Sequence, residues 1–379
     1  MKIAVLMTGG LHPSGREQII PSHLNLFAAM ARRHDVHAFI LRHLSTATTY
    51  ELEGIVVHDL GSPSARLGLG RWAQWRALEQ AMTEAGPFDV IHAMWADPAG
   101  LLAAVAGRRR GIPSVVECTS GEFVAHHDIS YGLQRTLRGR TVVKAVTMLA
   151  TRVQVASRHA ESLAAKLGIA TTRVPIGVKM PQERVTGARS NGSPWRLLQV
   201  ASLNRVKDQA RLIEAMALLG RTLDVRLDLV GEDTLEGRLQ SSASALGVAD
   251  RITFHGFLPQ DAIAPLRDRA HLYVQTSRHE GAGVSVLEAG AAGLPVLGTR
   301  VGYVADWAPD GAEALDDASP TQLARAIERL LADPLRRADL ARHALAFVRD
   351  HDVEWSAVEL ERLYEELRSS DVSARTKVQ

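Results

Sequence analysis

Two carboxylates, Glu280 and Glu288, stand eight positions apart in the stretch LYVQTSRHEGAGVSVLEAGAAGLPVLG, with two glycines between them. The run LYVQTS reads as a buried strand, residues 278–283 as a glycine turn, and VSVLEAGAAG as a short helix ending at Gly293 and Pro295. A strand, a glycine turn and a helix in this order build an anion site. Gly281 and Gly283, with Ala282 between them, let a ligand approach the backbone. The first amides of the helix, at Val284, Ser285 and Val286, then meet it with the positive end of the helix dipole. Glu288, about one turn into that helix, offers two acceptor oxygens to the two hydroxyls of a ribose. Glu280, in the turn, is placed for another part of the same ligand. A purely structural reading of the pair makes Glu280 a helix cap and Glu288 a buried, satisfied carboxylate.

The elements that must position these groups are read from the pattern along the chain. KIAVLM is a strand, and the loop TGGLHPSG after it lets Gly9 and Gly10 bring backbone against a ligand at the strand's carboxyl end. That loop does not match G-x-G-x-x-G, which disfavours a nicotinamide cofactor. VHAFIL, GIVVHDL, FDVIHAMW, IPSVVEC and VQVAS follow as strands separated by helices, the signature of an α/β fold with a parallel sheet covered on both faces. From Lys179 to Pro194 the composition turns to Gly, Ser and Pro, which marks a linker. WRLLQVAS and the amphipathic LNRVKDQARLIEAMALLG open a second α/β domain.

At 379 residues the chain has room for two to three domains, and 46% hydrophobic with 23% charged residues is the composition of a globular protein. The single cysteine, Cys118, excludes an internal disulfide framework, fits a reducing, cytoplasmic compartment, and reads as a packed strand residue. No apolar run reaches the roughly 18 residues of a membrane span, and the first residues enter a strand directly, which argues against a secretory signal. The net charge of +2 is uneven: residues 1–180 carry 20 Lys and Arg against 13 Asp and Glu. With no nucleic-acid motif beside it, that basic half suits an anionic membrane lipid or acceptor, or simply a solvated surface. Residues 133–150 mix cations with apolar residues at helical spacing, either as an ordinary packing helix or as a surface lying on a membrane. His126, His127 and Asp128 form no metal-ligand spacing, because adjacent loop side chains rarely point at one ion.

Ser277-x-x-Glu280-Gly281, Leu287-Glu288-Ala289 and Gly293-x-Pro295-Val296 together resemble the nucleotide-sugar motif of the retaining glycosyltransferases of family 4. The resemblance implies a GT-B architecture, two Rossmann-like domains facing across a cleft. Residues 1–180 would form the acceptor-binding domain, 190–350 the nucleotide-sugar domain, and 351–370 a helix crossing back to brace the first. It implies transfer of a sugar, a hexose in most such enzymes, from a nucleoside diphosphate sugar to an acceptor hydroxyl with retention at the anomeric carbon, in polysaccharide or glycolipid synthesis. No cofactor and no essential metal are implied.

In the resembled family an arginine and a lysine after the first strand of the second domain neutralise the donor diphosphate. Lys207 stands at the lysine position; the arginine position reads Ser202, and Arg205 is the nearby substitute. A histidine usually follows the strand that here ends at Cys118. The corresponding positions read Thr119 to Glu122, so Glu122 becomes the candidate contact to acceptor or donor sugar. Gly10 would approach the donor, and Phe257, beyond the strand RITF, would frame the nucleobase. Fixed cations at the leaving diphosphate stabilise the charge that develops in the transition state. Two glutamates used for donor binding favour a transfer on one face of the sugar, with the leaving phosphate deprotonating the acceptor, over the paired-carboxylate route of glycosidases. A nucleotide-sugar 2-epimerase of the same architecture and a catalytically silent nucleotide-sugar binding protein are the other readings.

Overall fold

The computed structural model describes residues 1–61, 70–181, 192–219, 223–316 and 318–376. These fall into two compact units, residues 1–177 with 353–379, and residues 178–352. The linker expected over Lys179–Pro194 lies largely outside the described residues.

The first unit holds strands β1 (Lys2–Met7), β2 (Asp35–Ile40), β3 (Thr48–Leu52), β4 (Ile55–Asp59), β5 (Val90–Met94), β6 (Ser114–Glu117), β7 (Arg152–Val155) and β8 (Thr172–Arg173). Its helices are α1 (Pro21–Ala31), α2 (Gly70–Ala85), α3 (Leu101–Arg110), α4 (Leu137–Leu149) and α5 (Arg158–Lys166). The sheet order is β3-β4-β2-β1-β5-β6-β7-β8, parallel throughout except for the edge strand β3. β3 is a strand the hydrophobic pattern misses: TTYEL is mostly exposed, and it pairs with β4 through a tight turn whose two residues, Glu53 and Gly54, both have positive φ.

The second unit holds β9 (Trp195–Val200), α6 (Gln209–Leu219), β10 (Val225–Val230), α7 (Arg238–Ala245), β11 (Ile252–Phe254), α8 (Gln260–Arg269) and β12 (Leu272–Gln275). It continues with α9 (Val284–Ala291), β13 (Val296–Thr299), α10 (Gly302–Trp307), β14 (Glu313–Leu315), α11 (Pro320–Ala332) and α12 (Pro334–Asp350). Its sheet, β11-β10-β9-β12-β13-β14, is all parallel.

Buried strands such as IAVLM, each flanked by apolar helix faces, account for the cores. One cluster packs Val5, Phe27, Met30 and Met94 on one face of the first sheet, and a second packs Leu6, Phe39, Ile91 and Val143 on the other. The last helix, α13 (Val353–Thr376), belongs to the first unit. Its Ala357, Leu360, Tyr364 and Leu367 complete the core under α1. Arg32 pairs with Glu354, Arg33 Nη2 lies 2.6 Å from Glu361 Oε1, and Ser356 Oγ donates to Pro175 O at 2.8 Å.

Each sheet has one place where the strand order reverses, between β9 and β12 and between β1 and β5. Loops at the carboxyl ends of two such strands leave the sheet in opposite directions and open a crevice, where ligands bind in folds of this kind.

Candidate active site

In the second unit the loops after β9 and β12 flank the reversal. Asn204 shapes the first loop: its Oδ1 accepts from the amides of Val206 at 2.9 Å and Lys207 at 3.0 Å, a local turn of the kind asparagine side chains build. The second loop is stapled to it by Arg278 N to Val206 O at 2.7 Å and Thr276 Oγ1 to Lys207 O at 2.9 Å. The outcome is an ion pair: Lys207 Nζ lies 2.5 Å from Glu280 Oε1, which also accepts from Ser277 Oγ at 2.6 Å. The side chains are 26% and 11% exposed, so both groups are reachable from solvent. Glu280 Oε2 accepts no hydrogen bond from a described residue. Arg205 is exposed and makes no ion pair among the described residues, and Ser202 is exposed beside it, its carbonyl held by Gln209.

Glu288 has a different environment. Gln260 Nε2 donates to its Oε1 at 2.9 Å, Arg267 Nη2 to its Oε2, and Arg267 also reaches Gln260 Oε1 at 3.0 Å. Both carboxylate oxygens expected to be open for a ribose are thus engaged from α8, each keeping one lone pair. Burial pushes the Glu288 carboxyl above its usual range, against the opposing pull of Arg267 and Gln260.

The amides at the start of α9 need one correction. Val286 N is spent on Gly283 O at 2.9 Å, so only the amides of Val284 and Ser285 remain at the helix start. Gly283 is the N-cap with φ +89°, and Ser285 Oγ is held by Tyr273 Oη at 2.7 Å. Ala282 is buried and its carbonyl accepts from Tyr303 N at 2.8 Å, while a Cβ on Gly302 would stand 2.3 Å from that same oxygen. The glycine at 302 therefore lets α10 close over the loop, and Gly281 is buried beneath it. Phe257 is 55% exposed and so is not core. It leaves β11, three strand spacings or about 14 Å along the sheet from β12.

In the first unit the reversal opens a cavity of about 470 Å³, lined by Thr8, Trp95, Asp97, the 120–122 loop, residues 130–133 and Arg135. Trp95 has φ +63° and Ser130 φ +57°, conformations non-glycine residues adopt at a cost of about 1–3 kcal/mol and which cluster at functional sites. Gly10 is packed: Ile20 N donates to Gly10 O at 2.9 Å, and a Cβ at residue 10 would meet the Ile20 side chain at 2.7 Å. Its requirement for glycine is accounted for by that contact.

Glu122 is 2% exposed, not a solvent-facing loop carboxylate. Burial raises its pKa, opposed by its own amide and those of Ser120 and Ala96. Ser120 N bonds its Oε2 at 2.8 Å. The carboxylate holds the loop together, and the same residue lines the cavity. Beneath lies a cluster that sequence spacing does not reveal. His92 Nδ1 meets Tyr364 Oη, and His92 Nε2 lies 3.7 Å from Glu117 Oε2. Burial lowers His92 to about 3, and burial with the Glu122 charge raises Glu117 to about 8. Cys118 is buried beside them. Among the described residues no group of three or more His, Cys, Asp or Glu is arranged to share a metal ion. No described helix is long and apolar enough to cross a membrane.

Residues 183–346 match the family model described as Glycosyl transferases group 1, and residues 21–177 the one described as Glycosyl transferase 4-like domain. A D-inositol 3-phosphate glycosyltransferase from Acidothermus cellulolyticus is 31% identical over 304 residues, 73% of this chain and 67% of that protein. A GDP-mannose-dependent alpha-(1-6)-phosphatidylinositol monomannoside mannosyltransferase from Mycolicibacterium smegmatis is 30% identical over 273 residues, 65% and 69% of the two. Among solved structures, a sucrose-phosphate synthase from Thermosynechococcus elongatus superposes with a TM-score of 0.77 at 22% identity, over 97% of this chain and 99% of that one. HepE from Anabaena in complex with UDP-glucose gives 0.74 at 20% identity, over 97% and 100%.

Proposed function

Because the chain belongs to the glycosyl transferases of group 1 and has the GT-B fold, we propose that it moves a hexose from a nucleoside diphosphate sugar to an acceptor hydroxyl with retention of configuration. The observation that carries this reading is the Lys207–Glu280 pair at the reversal of the second sheet. Lys207 takes the donor diphosphate, with Arg205 free to swing toward it. The two amides at the start of α9 face the same phosphates, Glu288 accepts from the ribose through its remaining lone pairs, and Phe257 covers the base. Glu280 then turns its carboxylate to the sugar hydroxyls.

Neither glutamate is poised as a nucleophile, since Glu280 is bound to a lysine and Glu288 to an arginine. The bond from the anomeric carbon to the leaving phosphate oxygen breaks as the bond to the acceptor oxygen forms on the same face. The acceptor proton passes to the departing diphosphate, whose growing charge Lys207 stabilises.

The acceptor side belongs to the first unit, whose α4 offers a face for a membrane carrier. Leu137 and Met148 are 81% and 65% exposed, in line with Thr141 and Lys144, with Arg138 and Arg140 beside them. A face of cations and apolar side chains binds anionic bilayers by charge and apolar burial together, which supports the reading that the enzyme works at the cytoplasmic membrane surface.

The test is a melting-temperature series of wild type and Glu288→Ala with UDP, GDP, ADP and their sugars, followed by NMR of the product's anomeric carbon. A ligand at 100 times its Kd stabilises by about 2.7 kcal/mol. One nucleotide series should stabilise only the wild type, and the product should keep the donor's configuration. An inverted product removes the proposed chemistry, and an altered donor without any acceptor identifies an epimerase.

A further inference from the structure

The last residue of β12, Gln275, is 2% exposed, and its side-chain Nε2 is buried with no hydrogen-bond partner among the described residues. A buried amide nitrogen without an acceptor is costly unless another state of the protein supplies one. Gln275 and Tyr273 stand two apart on the strand and so share a face, the one from which Tyr273 Oη holds Ser285 Oγ of α9 at 2.7 Å. The strand end is fixed from the side as well. A Cβ on Gly298 of β13 would stand 2.5 Å from Gln275 O and 3.1 Å from Gln275 Cβ.

The side chain that Gln275 approaches is Glu280. A Cβ on Gly283 would stand 3.4 Å from Gln275 Oε1, 3.7 Å from Gln275 Nε2 and 3.7 Å from Glu280 Cγ. The carboxamide and the glutamate therefore converge on the side of Gly283 where another residue would carry its Cβ. Glu280 is anchored at its root, since a Cβ on Gly302 would stand 2.8 Å from Glu280 Cβ, and its carboxylate moves by rotation of the side chain. Oε1 accepts from Lys207 and Ser277, while Oε2 accepts nothing from a described residue. An unbonded carboxylate oxygen and an unbonded buried donor thus lie beside one glycine.

We infer that Gln275 is the positioning residue of Glu280. When the donor diphosphate takes Lys207, the Glu280 carboxylate leaves the lysine and rotates until Oε2 accepts from Gln275 Nε2, while Ser277 Oγ keeps Oε1. Held by two neutral donors, the carboxylate retains its charge and has lone pairs left for the hydroxyls of the donor sugar. An acceptor fixed in advance binds those hydroxyls with less loss of side-chain freedom. This rests on the glycosyltransferase reading and deepens it, because it gives the site a means of telling a nucleotide sugar from the bare nucleoside diphosphate.

Calorimetric titration of the full chain compares UDP, GDP and ADP with UDP-glucose, UDP-N-acetylglucosamine, GDP-mannose and ADP-glucose, for wild type, Gln275→Met, Glu280→Ala and the double variant. In Gln275→Met the nucleoside diphosphate should bind within about twofold of wild type, which also shows that the variant folds, while the nucleotide sugar should bind about tenfold more weakly, as for the loss of one hydrogen bond to a charged group. Its melting temperature without ligand should not fall below that of wild type, because an unbonded buried amide gives way to an apolar chain of similar length. In the Glu280→Ala background the same substitution should change neither affinity, as expected of a residue that acts through Glu280. Equal weakening of nucleotide and nucleotide sugar, or a loss of sugar affinity that persists in full without Glu280, overturns the inference. A wild type that responds to none of these ligands sinks the glycosyltransferase reading and this inference together. A wild type that responds while Gln275→Met binds every ligand as it does sinks the inference alone.

Discussion

Lys207 Nζ and Glu280 Oε1 are 2.5 Å apart across two loops separated by 73 residues in sequence, so the cation assigned to the donor is paired with a carboxylate. A part-exposed pair of this kind contributes about 1 kcal/mol or less. A diphosphate, with more charge and more acceptor oxygens, displaces Glu280 and turns it toward the sugar. Lys207→Ala should therefore lower kcat by about 10²–10³ with the melting temperature nearly unchanged. Steady-state kinetics that showed a changed KM alone would reassign Lys207 to ground-state binding.

Arg267 acts on the donor through Glu288. Removing it leaves a buried carboxyl with Gln260 as its remaining described partner, at a stability cost of about 2 kcal/mol. The Glu288 pKa, raised by burial already, rises further once its counter-charge is gone. Arg267→Met should consequently lose affinity for UDP or GDP at a higher pH than the wild type as the solution is acidified, because a protonated carboxyl accepts fewer ribose hydroxyls. A variant whose nucleotide affinity had the wild-type pH profile would show that Arg267 does not position Glu288.

The pH dependence of stability follows from the buried cluster under β5 and β6. Glu117 moves from 4.5 to about 8, so between those values the folded chain keeps a proton that the unfolded chain releases, and stability falls as pH rises. His23 and His92 move from 6.5 down to about 4 and about 3; below 6.5 the unfolded chain takes up protons the folded chain refuses, and stability falls as pH drops. Two histidines against one glutamate place the maximum near 6.5. Melting temperatures from pH 4 to 9 should peak there, and Glu117→Gln should flatten the alkaline side. An unaltered alkaline decline in that variant would place the responsible proton elsewhere.

The α4 surface has its own test. Leu137→Glu with Met148→Glu removes two exposed apolar side chains, each contributing about 1.5 kcal/mol or more when buried in lipid. Sedimentation with anionic vesicles should show about a hundredfold weaker binding, with nucleotide stabilisation intact. Equal sedimentation of variant and wild type would mean that this face does not meet the membrane.

What the sequence discloses of this site is what local spacing controls. Glu280, Gly283 and Glu288 lie on one strand–turn–helix unit, and Lys207 follows a strand at a short offset, so both loops are visible in the chain. The partners Gln260 and Arg267 come from α8, and no periodicity links a residue to a carboxylate 21 positions later. Glu122 looks like a loop acid because sequence shows its polar neighbours but not the amides of Ser120 and Ala96 folded around it. Val286 reads as open at a helix start, but the 3₁₀-like first turn claims its amide. β3 escapes the pattern since an edge strand with one sparse face has little hydrophobic alternation to show. The cluster of His92, Glu117 and Tyr364 joins residues up to 272 positions apart, a separation only tertiary structure closes.

The place of α13 in the first core sets the order in which the chain can mature. Residues 1–177 leave the ribosome lacking Leu360, Tyr364 and Leu367, so the face carrying Phe27 and Met30 stays uncovered and His92 lacks its phenol until residues 178–352 have been made. The second unit is, in topological terms, an insertion within the first, and its last residue is synthesised before the unit begun earlier is complete. A chain halted after residue 352 would hold one complete unit and one open core, a ready substrate for chaperones and proteases.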